Sequence, residues 1–135
     1  MSNDKNIFNL NNGFTNLWTS VLTPLNADFL IDINKYIVHV KTLLSNGSEG
    51  VCIFDQYGEG PSFSLQERKD LLDELIKAGI PSSSILVCTT AASIEDMTEL
   101  TQHAVAQKVF ACLMGTPFYF MQSRAIKGLS IHMHM

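Results

Sequence analysis

A chain of 135 residues, 46% apolar and 16% charged, has room for one domain with a sizeable core and lies far from disordered compositions. Its formal charge of −4, with no run of Lys or Arg longer than two, argues against a nucleic-acid groove or an anionic membrane surface as partner. No apolar stretch reaches the roughly 18 residues that span a bilayer, and Met1–Asn12 lacks the layout of a signal peptide, so the cytoplasm is the expected location.

Residues 1–15 are polar and without a period, which suggests a loose leader. Leu17 to Leu22 is a strand-like run stopped at Thr23-Pro24, because proline cannot donate to a strand ladder. Ala27-Asp28 supplies a turn and Asp32 an N-cap. Ile33, Ile37, Val40 and Leu44 then recur at helical spacing up to Asn46-Gly47. Gly50 to Phe54 is continuously apolar, as a strand of a parallel sheet buried on both faces would be. After a glycine-bearing loop from Asp55 to Phe63, Ser64 and Glu67 form the capping-box pattern of a helix whose apolar face is Leu71, Leu72, Leu75 and Ile76, ending at Gly79.

The cycle repeats. Ile85 to Cys88 reads as a strand, and Ser93 caps a helix facing inward through Met97, Leu100, Ala104 and Val105. Val109 to Met114 reads as a fourth strand, ended by Pro117. Four strands alternating with three helices predict an α/β fold with a parallel sheet. Residues 121–135 carry no strand signal and read as an irregular, aberrant tail.

Cys52, Cys88 and Cys112 show no disulfide or metal spacing and read as buried thiols. His132-Met133-His134 offers soft ligands, but two imidazoles without a third do not make a site, so no metal is expected. His39 and His103 fall among polar neighbours and read as solvated. No serine has the Gly-x-Ser-x-Gly setting of a nucleophile.

Four segments in register carry a family resemblance: Leu22-Thr23-Pro24; Ile31-Asp32; Gly58-Glu59-Gly60-Pro61-Ser62-Phe63-Ser64-Leu65-Gln66-Glu67-Arg68-Lys69; and Thr116-Pro117-Phe118-Tyr119. Over residues 17–120 the chain resembles the dihydrodipicolinate synthase/N-acetylneuraminate lyase family. The resemblance implies a (β/α)8 barrel, of which residues 16–120 would be the N-terminal half. It also implies a lyase or aldolase that binds pyruvate or a related 2-oxo acid as a Schiff base on a lysine, usually as a tetramer, with no separate cofactor. A complete barrel needs about 250 residues. The family's lysine lies on a sixth strand, and neither Lys108 nor Lys127 aligns with it, so the chain is expected to be truncated and inactive alone. The alternative is a non-catalytic remnant or a small α/β interaction module.

By the same resemblance Tyr119 is the catalytic candidate, the tyrosine of a proton relay, and Gln56, Tyr57, Gly58 and Glu59 are the substrate-binding candidates. Each has a plainer reading: Tyr119 as packing beside Phe118 and Phe120, Glu59 as a loop-fixing carboxylate, and Gly58 as a positive-φ position in a tight loop. The family's Gly-Thr-Thr-Gly-Glu run is here Asp55-Gln56-Tyr57-Gly58-Glu59. Both relay hydroxyls are gone, and Asp55 brings a charge that would repel a substrate carboxylate. Self-association through open sheet edges is expected of so small a part of a barrel.

Overall fold

A computed structural model describes residues 17–116. The expected leader and tail, with Tyr119, Lys127 and His132-Met133-His134, lie outside the described residues.

Strands β1 (Trp18–Ser20), β2 (Gly50–Ile53), β3 (Ile85–Cys88) and β4 (Ala111–Leu113) alternate with helices α1 (Ile33–Ser45), α2 (Leu65–Lys77) and α3 (Ile94–Ala106). They form one sheet in the order β1-β2-β3-β4, and every neighbouring pair is parallel. This is the expected α/β alternation, in the order in which a (β/α)8 barrel lays down its first four strands.

The helices start where their caps dictate. Asp32 accepts from the Lys35 N–H, Ser93 accepts from the Asp96 N–H, and Ser64 with Glu67 completes a reciprocal capping box. Each cap satisfies one of the N–H groups that the first helical turn leaves without a partner.

Alternation along the strands sends Val51, Ile53, Ile85 and Val87 toward the helices, where they are buried with Val21, Val40, Leu71, Leu72 and Leu75. The paired registers place Trp18, Ser20, Gly50, Cys52, Leu86, Cys88, Ala111 and Leu113 on the other face. That face has no helix layer among the described residues, and Leu113 is half exposed (50%).

Three expectations need correction. The first and fourth strands are shorter than the apolar runs that signalled them, since Leu17, Leu22 and Met114 flank the ladder and are exposed. Val105 is 64% exposed, because Ala104 takes the inward position on α3. His103 is not solvated: its Nε2 lies 2.8 Å from Asp73 Oδ1, an oxygen that also accepts from Gln107 Nε2 at 2.7 Å, tying α3 to α2. Helical spacing within either segment cannot show such partners across two helices.

Candidate functional site

The parallel sheet directs the C-terminal ends of its strands toward one rim, and loops that leave such a rim form clefts in α/β proteins. A cleft of about 630 Å³ opens there, between the loop after β2 and the segment after β4. Phe54, Asp55, Gln56 and Glu59 line one side, Cys88 and Thr90 the floor, and Leu113 to Gly115 the other side.

The loop after β2 is held in an unusual path. Phe54 leaves the strand at φ 60°, and Glu59 sits at φ 53° in the left-handed region, which few non-glycine residues adopt. A Cβ on Gly60 would stand 2.1 Å from the Phe54 carbonyl oxygen, so only glycine allows the loop to fold back on the strand end. Gly58 has a different requirement from the one expected. Its φ is not positive; instead, a Cβ there would lie 2.8 Å from the Val21 carbonyl oxygen.

Side chains from β1 and the loop after it complete the scaffold. Ser20 Oγ donates to Asp55 Oδ2, and the Gly58 N–H donates to Asp55 Oδ1 at 3.0 Å. Thr23 Oγ1 donates to the Gly58 carbonyl at 2.7 Å, so Gly58 is gripped at both its polar atoms. Of the four loop candidates, Gln56 and Glu59 line the cleft, Tyr57 stands outside it at 69% exposure, and Gly58 is buried in the scaffold.

Arg68 has no role by periodicity or by motif, yet it organises the floor. It is buried (4% exposed) and donates from Nη1 to the Thr90 carbonyl at 2.9 Å and from Nη2 to the Cys88 carbonyl at 2.6 Å. Its guanidinium carbon lies 5.4 Å from the centre of the Phe54 ring. Burial lowers its affinity for the proton, and no carboxylate pairs with it among the described residues. The charge is held by two strand-end carbonyls and an aromatic face instead. In the sequence it stood one residue after the capping-box Glu67, inside the segment Gly58–Lys69 that carries the family resemblance, but with no role of its own.

Thr90 links the floor to the far wall, as its Oγ1 accepts from the Gly115 N–H at 2.8 Å. Cys52 lies near the loop, and burial, helped by the charge of Asp55, pushes its thiol up to about 12. Tyr36 of α1 is fully buried, and its hydroxyl is driven upward in pKa chiefly by the same loss of water. Neither group is a nucleophile at neutral pH. Among the described residues no group of three or more His, Cys, Asp or Glu side chains could hold a metal. None of the residues lining the cleft is a lysine.

Residues 13–134 match the model of the dihydrodipicolinate synthetase family. A curated relative, the 4-hydroxy-tetrahydrodipicolinate synthase of Prochlorococcus marinus (strain MIT 9303), is 30% identical over 119 residues, which cover 88% of this chain and 39% of that protein. The crystal structure of dihydrodipicolinate synthase from Agrobacterium tumefaciens superposes with a TM-score of 0.75 at 34% identity, over 78% of this chain and 37% of that one. The N-acetylneuraminate lyase of Proteus mirabilis superposes at 0.74 with 28% identity, over 80% of this chain and 37% of its own. This chain therefore spans about two fifths of the length of the curated relatives it matches. The match runs through all four strands and through the loop that builds the cleft, and on that breadth the chain belongs to the dihydrodipicolinate synthetase family.

Proposed function

We propose that the chain is the N-terminal part of a carbon–carbon lyase whose ligand is pyruvate or a related small 2-oxo acid, and that these 135 residues turn nothing over by themselves. The observation that carries the reading is the cleft itself. It sits at the C-terminal rim of a parallel sheet, as active sites of this architecture do, and its lining holds no amine to form a Schiff base. Gln56 and Glu59 are the residues in position to meet a ligand, with Gly58 shaping the loop beneath them. Tyr57 and Tyr119 complete the proposed set on the resemblance alone.

Covalent catalysis of this kind needs a lysine whose pKa is lowered by its pocket and which faces the carbonyl. Lys35, Lys41, Lys69 and Lys77 are carried on helices α1 and α2, and Lys108 sits in the turn after α3. Incubation with pyruvate and borohydride, followed by intact mass measurement, tests the reading. Unmodified mass is expected; a stoichiometric adduct on one lysine overturns it.

The outer edges of β1 and β4 have no strand partner among the described residues, and Leu113 and Met114 beside one edge are exposed. We infer that the 135-residue chain self-associates through these edges, since unpaired ladder groups template further pairing. Sedimentation at micromolar concentration is expected to show a dimer or larger species, and a monodisperse monomer refutes it. No helix among the described residues is long and apolar enough to cross a membrane; the cytoplasmic location is our proposal from the sequence alone.

A further inference from the structure

We propose that a ligand carboxylate binds at the floor of the cleft, on the Thr90 hydroxyl and over the buried Arg68, rather than at the loop after β2. The inference rests on reading the cleft as a site for small 2-oxo acids. It adds where the acid group sits and which side chain selects it.

Thr90 lines the cleft, and its acceptors are already engaged. Its carbonyl accepts from Arg68 Nη1 at 2.9 Å. Its Oγ1 accepts twice, from the Gly115 N–H at 2.8 Å and from the Cys88 thiol at 3.3 Å. A hydroxyl oxygen has two lone pairs and one proton, so these bonds and the bond to Cβ leave one direction for the O–H. That O–H donates to no acceptor among the described residues. Accepting from a backbone N–H also polarises it into a stronger donor. The charges point the same way. Arg68 holds a full positive charge behind this floor, with no carboxylate paired to it among the described residues. Its buried Nε has no hydrogen-bond partner there either. Negative charge lies along the loop side instead, where Glu59 and Asp55, the latter fixed by Ser20 and Gly58, line the cleft. In a cleft partly shielded from water such charges act more strongly than in bulk solvent. A carboxylate is therefore drawn to the floor and pushed from the loop, although the Gln56 and Tyr57 N–H groups donate to nothing among the described residues.

Titration of the isotope-labelled chain with pyruvate, acetate and acetone, followed through backbone amide shifts by NMR, tests the inference. Pyruvate should bind saturably in the millimolar range, as suits a ligand with so few atoms, with its largest shifts at Thr90 and Gly115. Acetate should move the same amides with lower affinity. Acetone, which has the carbonyl but no charge, should move neither up to ~50 mM. Thr90→Val keeps the shape and removes the donor, so its affinity for pyruvate should fall about tenfold or more. Thr90→Ser keeps the hydroxyl and should restore most of that affinity. The ligand-free Leu113 and Met114 amides should hold their wild-type shifts in both variants, which shows the far wall undisturbed. If Thr90→Val disturbs that wall or fails to fold, the wild-type shift map decides alone. Pyruvate shifts centred on Gln56 and Tyr57, with affinity unchanged in a folded Thr90→Val, overturn the inference and leave the 2-oxo acid reading standing. Acetate bound at Thr90 as tightly as pyruvate upholds the inference and ends that reading. Acetone binding at Thr90 overturns the inference, as does a wild-type chain that binds neither acid at the highest concentration.

Discussion

Trp18, on the first strand, packs its ring against Phe110, which immediately precedes the fourth, with centroids 4.6 Å apart and planes tilted by 34°. Three strand spacings separate β1 from β4, about 14 Å in a flat sheet. The two rings bridge that span and join the outer strands of the sheet. Gly50 on β2 makes room, since a Cβ there would stand 2.2 Å from the Trp18 ring.

The pair is therefore expected to tie the first strand to the start of the fourth. Phe110→Ala should cost about 1–2 kcal/mol, below the figure for a fully buried phenylalanine because Phe110 is partly exposed. Trp18→Ala and the double variant complete a cycle whose coupling should be about 0.5–1.5 kcal/mol, measured by urea unfolding. Zero coupling would mean that the rings merely lie side by side.

Arg68→Ala should be among the most damaging substitutions in the described region, by about 2–4 kcal/mol. It removes the donors of the buried Cys88 carbonyl and of the half-buried Thr90 carbonyl. Arg68→Lys keeps the charge but cannot reach both carbonyls as a fork does, so its loss should be smaller yet distinct. Chemical denaturation orders the three proteins, and equal stability of Arg68→Ala and the wild type would refute the role.

Acid should weaken the start of α1. The Lys35 N–H bonded to the Asp32 carboxylate holds that carboxyl below its usual range, with the Lys35 side chain adding to the effect. A carboxyl depressed in the folded state contributes stability above its unfolded pKa of about 3.9 and loses it as pH falls through the folded value. The difference in melting temperature between the wild type and Asp32→Ala should thus be present at neutral pH and shrink below about pH 4. A difference that persists unchanged in acid would show that charge plays no part in the cap.

Cys52 should resist thiol reagents at pH 8 in the native protein, because burial pushes its thiol up to about 12 and leaves little thiolate. Cys112 is also raised by burial but is less enclosed, so labelling should reach it earlier. Mass mapping after short exposure to iodoacetamide reads the order, and all three cysteines should react in urea. Labelling of Cys52 ahead of Cys112 would contradict it.

Local order was written in the sequence because its causes are local. Asp32, Ser64 with Glu67, and Ser93 cap their helices through bonds to N–H groups only three residues away, so a short window contains both partners. The apolar runs around Val51, Val87 and Cys112 announced strands, and their alternation with helices announced the parallel order. The resemblance in the loop from Asp55 to Gly60 pointed to the cleft, and Gln56 and Glu59 do line it.

What the chain could not disclose by itself depends on residues far apart in number. Asp55 meets Ser20 across 35 positions, Arg68 reaches Thr90 across 22, and His103 meets Asp73 across 30. In sequence Asp55 was a charge set to repel a ligand, Arg68 a helix residue without a role, and His103 a solvated side chain. Their true partners follow from how neighbouring strands and helices stack. Hydrogen bonds and ion pairs act over a few ångströms in space, and a one-dimensional spacing pattern records only those that fall within one element. The tertiary structure alone decided that Asp55 is held by Ser20 and Gly58 and that Arg68 is held beneath the cleft by the Cys88 and Thr90 carbonyls.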